Sequence, residues 1–140
     1  LPSSLRSLRS SVQATPAPGR NIPKVSEDCL FCRISAGEIP ATVVYETGTV
    51  LAFRDIAPQA PVHVVVIPRA HHADVIALAE ADPGLASEVL AAAGAVAKAE
   101  GLTGNGFRVV FNTGANAGQT VFHVHAHVLG GGPLGALASP

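Results

Sequence analysis

Between residues 121 and 129 apolar and polar positions alternate: Val124, Ala126 and Val128 stand against His123, His125 and His127. A period of two marks a strand with one buried face. It sets the three imidazoles about 6.5–7 Å apart along the other face. Residues 42–45 and 50–53 are shorter β-rich runs flanking Glu46-Thr-Gly-Thr49, a hairpin signal. Residues 62–67 form a dense β-branched run stopped by Pro68, and 107–111 makes a fifth strand. Helical spacing appears at Leu30, Phe31 and Ile34, behind Ser26 as the expected cap and ending near Gly37. Residues 74–80 fit a short helix. Asp82-Pro83 opens a longer Ala-rich helix that runs to Glu100 and stops at Gly101. A glycine-rich turn, 114–118, leads into the histidine strand. Five strands, mostly hairpin-connected, with one long helix and one or two short ones predict an α+β domain on an antiparallel sheet. The Ala-rich stretch 85–99 would either admit a partner helix closely or pack on its own sheet.

Length and charge narrow the function classes. The 140 residues suit one domain with a sizeable core, and 48% of them are hydrophobic. No run of about 18 apolar residues is present, which argues against a membrane span. A net charge of −1 with scattered basic residues argues against a nucleic-acid partner. Residues 1–25 differ in kind: Arg6, Arg9, Arg20 and Lys24 stand among serines and prolines, with no acid before Glu27. That composition fits the remnant of a chloroplast or mitochondrial transit peptide, or an ordinary disordered extension of a cytoplasmic protein. Both readings make 1–25 a flexible extension and 26–140 the folded domain.

Imidazole titrates near neutral pH, so three in a row point to metal binding or to acid–base and nucleophilic chemistry. Three residues of one flat strand do not converge readily on a single ion at about 2.0–2.1 Å. A phosphate can bridge neighbouring imidazoles at this spacing. The pair Cys29-Leu-Phe-Cys32 is half of a zinc site, a redox pair, or two buried thiols. No strong strand precedes it, which disfavours the redox reading.

The histidine run, with several separated stretches, resembles the histidine triad (HIT) family of nucleotide-binding hydrolases. The stretches are Cys29-Leu-Phe-Cys-Arg-Ile-Ser-Ala-Gly-Glu-Ile-Pro40, Leu51-Ala-Phe-Arg-Asp-Ile-Ala-Pro-Gln-Ala-Pro-Val-His63, Val66-Ile-Pro-Arg-Ala-His71, Asn112-Thr-Gly-Ala-Asn-Ala-Gly-Gln-Thr120 and Gly130-Gly131. The likeness covers about residues 28–132 and is greatest to the Hint branch, the purine nucleoside phosphoramidases. It implies a HIT-like fold with a five-stranded antiparallel sheet, and a homodimer packed through the long helix and strand 107–111. It also implies hydrolysis of AMP phosphoramidate-type or acyl-AMP substrates through a nucleotidyl-histidine.

By the same resemblance His125 is the nucleophile, His127 contacts phosphate and manages the leaving-group proton, and His63 completes the polar site. Taken alone, His63 reads more readily as a structural residue, as a lone histidine in a strand more often is. Gly118, Gln119 and Thr120 match the phosphate approach, with Thr120 where many relatives carry serine. Asn112 matches a residue near the ribose and leaving group, and Asp55 an acceptor from ribose hydroxyls, although Asp55 also fits plain turn chemistry. Leu30, Phe31, Ile34, Phe53 and Ile56 match the purine slot; without the resemblance they read as core. Cys29, Cys32, His71 and His123 match a structural zinc site that some members carry, and catalysis would need no cofactor. The tail Pro133-Leu-Gly-Ala-Leu-Ala-Ser-Pro140 departs from the aromatic tail of the Hint branch, which bears on leaving-group specificity. A dinucleoside polyphosphate hydrolase, a nucleotidyl transferase and a non-catalytic, zinc-binding dimeric adaptor that senses AMP remain alternatives.

Overall fold

The computed structural model describes residues 28–137. In chain order the elements are α1 (Leu30–Ser35), β1 (Val43–Glu46), β2 (Val50–Arg54), β3 (Val62–Pro68), α2 (Val75–Ala81), α3 (Pro83–Ala99), β4 (Phe107–Phe111), a 3-10 turn (Ala115–Ala117) and β5 (Ala126–Gly130). The strands form one antiparallel sheet in the order β1-β2-β3-β5-β4.

The two faces of the sheet explain why β2 and β3 read as unbroken apolar runs. Val50, Ala52, Val64, Val66, Val124, Ala126 and Val128 join Leu85, Val89, Ala92, Ala93, Val96 and Ala97 of α3 in one core. The alternate residues Leu51, Phe53, Val65 and Ile67 form a second core with Phe31 of α1 on the opposite face. A strand covered on both sides loses its polar alternation. The alanines of α3 therefore pack on its own sheet, and of the two uses open to them in the sequence this is the one realised within the chain. Asp82 caps α3 by accepting from the Leu85 N–H at 3.0 Å, with Pro83 preset for the first turn. Arg54 grips Glu100 with both terminal nitrogens, at 3.1 and 3.0 Å, and fixes the far end of α3 to β2.

Two expected boundaries change. The observed α1 begins at Leu30, where Cys29 caps it: Sγ accepts from the Cys32 N–H at 3.3 Å. The start expected at Ser26 lies outside the described residues, as does the whole 1–25 extension. The final strand does not begin at 121. Its ladder starts at Ala126, because the Val124 N–H leaves the sheet direction and donates to the His72 carbonyl at 2.7 Å. Only His127 is a strand residue. The alternation survives all the same, with Val124 in the α3-side core and His123 buried on the other face.

Among the described residues, no helix is long and apolar enough to cross a membrane.

Candidate active site and metal centre

The site lies on the α1 face, where β3 and β5 run side by side and Val65 pairs with His127. Phe31 braces it from α1. Its ring meets His125 edge-on at 5.0 Å between centroids, His123 at 6.0 Å and Phe53 at 5.6 Å. The row divides into a half that meets His63 and a half that meets the cysteines.

Backbone groups dictate the protonation of each imidazole. A carbonyl only accepts, so His125 donates from Nδ1 to the His123 carbonyl at 2.9 Å, and its lone pair lies on Nε2. A backbone N–H only donates, so the Gln59 N–H at 2.9 Å requires the lone pair of His63 on Nδ1. The neutral His63 then carries its proton on Nε2 and donates it to Nδ1 of His127 at 2.8 Å. That leaves His127 with Nε2–H. The rings of His125 and His127 are 4.9 Å apart. A ring with a free acceptor nitrogen and a ring with a free donor nitrogen are thus neighbours.

Burial keeps this chain neutral. It pushes His127 down to about 4, the neighbouring imidazoles of His125 and His63 add to the shift, and Asp55 opposes it. Burial also lowers His63, although Asp55 Oδ2 stands 3.4 Å from its Nε2 and pulls the other way. Desolvation outweighs the carboxylate for both residues.

Cys29, Cys32, His71 and His123 place one ligand atom each within 4.8 Å of one another. Nδ1 of His123 lies 3.4 Å from Cys29 Sγ, 3.5 Å from Cys32 Sγ and 3.2 Å from His71 Nδ1, and His71 Nδ1 is 3.4 Å from Cys32 Sγ. Tetrahedral zinc with ordinary bond lengths needs about 3.3 Å between nitrogens and about 3.6 Å between nitrogen and sulfur. The fit is close on each of these four pairs. His123 Nε2 donates to the Pro68 carbonyl at 2.8 Å, which leaves Nδ1 free to ligate. Burial pushes His123 down to about 4, so the imidazole is in the neutral form that a metal requires. The Cys32 thiol is pushed up to about 12, by burial first and then by the hydrogen bond and charge of Cys29. A dication reverses that preference.

Asp55, His63 and His127 form a second close group. It does not suit a metal. The Gln59 N–H occupies the only lone pair of neutral His63, so the nitrogen facing the group is a donor. The group is a set of polar contacts centred on His63 Nε2, which faces both His127 Nδ1 and Asp55 Oδ2.

The other expected site residues separate. Phe31 and Phe53 are buried, and Ile34 packs against them. Leu30 is 44% exposed and Ile56 is wholly exposed at 101%, so the five apolar residues form no closed slot within the chain. Ile56 is turned out because Asp55 Oδ1 accepts from the Ala57 N–H at 2.8 Å and tightens the turn. Asp55 is then both a turn former and a neighbour of His63. Asn112 is half-buried just past β4, and Gly118 and Thr120 are exposed. Gly118 takes φ +86°, a conformation that favours glycine.

Gln119 differs from expectation. Its side chain is buried and faces away from the site: Oε1 accepts from Gly114 N–H, and Nε2 donates to the carbonyls of Ala73 and Val121. Both amide protons are used, so no side-chain donor remains for a phosphate. The groups that sequence reasoning missed are the Gln59 N–H and the Pro68 and His123 carbonyls. Backbone groups leave no mark in residue identity.

The HIT domain family matches residues 36–134 of this chain. A HIT-like protein of Synechococcus elongatus is 48% identical over 110 residues, which is 79% of this chain and 96% of that protein. The purine nucleoside phosphoramidase of Escherichia coli is 37% identical over 113 residues, 81% of this chain and 95% of that one. The crystal structure of a HIT family hydrolase from Legionella pneumophila superposes with a TM-score of 0.73 at 48% identity, over 77% of this chain and all of that one (100%).

Proposed function

Because the chain belongs to the HIT domain family, we propose that it hydrolyses purine nucleoside 5′-phosphoramidates or acyl-AMP through a covalent nucleotidyl-histidine. One observation carries the reading: the His125 ring, with its Nδ1 held by a carbonyl and Nε2 left as acceptor, lies 4.9 Å between centroids from the His127 ring, whose Nδ1 is held by His63 and whose Nε2 is left as donor. His125 Nε2 attacks the α-phosphorus and the bond to the leaving nitrogen or oxygen breaks. The leaving group takes a proton from His127 Nε2, which draws one from solvent so that the imidazole ends the step neutral. Water then attacks the phosphorus, gives up its proton to solvent, and frees AMP and His125. The relative in Escherichia coli, named a purine nucleoside phosphoramidase, supports the substrate class. Turnover of adenosine 5′-phosphoramidate should exceed that of a diadenosine polyphosphate at least tenfold at equal concentration. The reverse order would assign the site to dinucleotides, and AMP binding without turnover of either would make the protein an adaptor.

Zinc held by Cys29, Cys32, His71 and His123 completes the reading. It would be structural, with all four positions filled by protein and none left for water. It would tie α1, the segment after β3 and the triad segment together, and take no part in the phosphoryl steps.

The working form is a homodimer. β4 lies at the edge of the sheet, and Phe107-Arg-Val-Val-Phe111 carries neither proline nor lysine to guard it. Leu90 of α3 is 56% exposed. A second copy joined through β4 and α3 would cover both. Sedimentation at micromolar concentration should give twice the chain mass, and a monomer mass would overturn the assembly.

A further inference from the structure

Both amide protons and the carbonyl oxygen of the Gln119 side chain are engaged inside the protein, with neighbours in its own segment and with Ala73 far off in sequence. At one end it closes the turn that precedes the triad. The Gly114 N–H donates to Oε1 at 2.8 Å, and the Gln119 N–H returns to the Gly114 carbonyl at 3.1 Å. The pair shuts 114–119 into a ring around the 3-10 turn. At the other end Nε2 reaches the Ala73 carbonyl at 2.8 Å and the Val121 carbonyl at 3.1 Å. Ala73 follows His71 and His72, and Val121 precedes His123. Further along the same seam, the Val124 N–H donates to the His72 carbonyl. The Gln119 amide is thus the side-chain stitch between 71–73 and 119–124, which are joined otherwise by one backbone bond and the His71–His123 contact.

We infer that Gln119 is a positioning residue that laces the 114–120 turn and the start of the triad segment to 71–73, and so sets where Thr120 and His125 meet the phosphate. It acts without touching substrate, and the inference rests on the nucleotide reading of the triad. Loss of the amide opens the seam from its N-terminal end. The His125 ring is fastened to the carbonyl of His123, so it moves with that segment. Alternative partners for the two carbonyls are water only, and the turn loses the acceptor that holds Gly114.

The test compares the full chain with Gln119→Ala and Gln119→Met, the second keeping the bulk without the amide. Val96→Ala, in the core behind the sheet, serves as a control for lost stability. Amide exchange at Val124 reads the seam without any substrate, and AMP titration reads the phosphate site. Both Gln119 variants should exchange Val124 at least tenfold faster and bind AMP at least fivefold more weakly. Val96→Ala should change AMP affinity less than twofold. Val124 exchange within twofold of wild type would overturn the inference, as would unchanged AMP affinity in the Gln119 variants or an equal loss in Val96→Ala. A wild-type protein that does not bind AMP would instead overturn the nucleotide reading, and Val124 exchange would still decide whether Gln119 laces the seam.

Discussion

His125→Ala should lower kcat for an adenosine phosphoramidate by at least a thousandfold while AMP affinity stays within about threefold. The ring supplies the only lone pair in the row that faces outward with its other nitrogen fixed on a carbonyl. Removing it deletes the bond-forming atom, and neither His123 nor His127 can replace it. His123 Nδ1 points into the cysteine cluster, and His127 Nδ1 is taken by His63. Binding should survive because the neighbouring segments are held by backbone bonds that do not involve this side chain. His127→Ala should cost less, about 10²-fold, since water can substitute in part for a proton donor. Single-turnover and steady-state rates check both variants, and more than a few per cent of wild-type kcat in His125→Ala would remove the covalent step.

Removing the metal should produce the opposite pattern. Protein purified under reducing conditions without chelators should carry one zinc per chain, and stripping it should cost stability far more than it costs phosphate affinity. A ligand present at a thousand times its Kd contributes about 4 kcal/mol to folding, which for a domain of this size is a fall of about 10 °C or more in Tm. The ligands explain the size of the effect: they come from the start of α1, from the segment after β3 and from the triad segment, so one ion joins three parts of the chain. Turnover should persist for minutes after EDTA, because no phosphoryl step passes through the metal. Elemental analysis with thermal unfolding checks this. Zinc content near zero would refute the site, and an immediate loss of kcat at unchanged fold would make the metal catalytic.

Much of this fold is readable from the chain because its elements are locally decided. Asp82 and Pro83 mark the start of α3 by side-chain chemistry alone, and the β-branched run before Pro68 requires a strand. The places that are not readable share a cause. The final strand begins five residues later than its alternation implies, because Val124 finds its acceptor on His72, which no local pattern reports. Cys29 takes the capping position, where the composition favoured Ser26, now outside the described residues. Gln119 in a glycine-rich approach looks like a phosphate contact until its three backbone partners are seen around it, one of them, Ala73, far off in sequence. The triad is legible as a constellation, but its division of labour is not. Which ring nitrogen is left as acceptor and which as donor is set by Gln59, Pro68 and His123 through their main-chain atoms.

The alternation of β5 and the residues before it has a consequence for how this chain tolerates change. Val124, Ala126 and Val128 fill one core while His123, His125 and His127 serve the other side. β5 is hydrogen-bonded to strands on both flanks, so it has no free edge along which to shift. With β5 held in register, a one-residue insertion or deletion between His125 and Ala126 would swap the faces of the residues before it, turning His123 and His125 toward the apolar core and Val124 away from it. Substitutions here lose one group at a time, whereas a change of length would lose the metal ligand, the nucleophile and the core together. The spacing of this segment is therefore under tighter constraint than the identity of most of its residues.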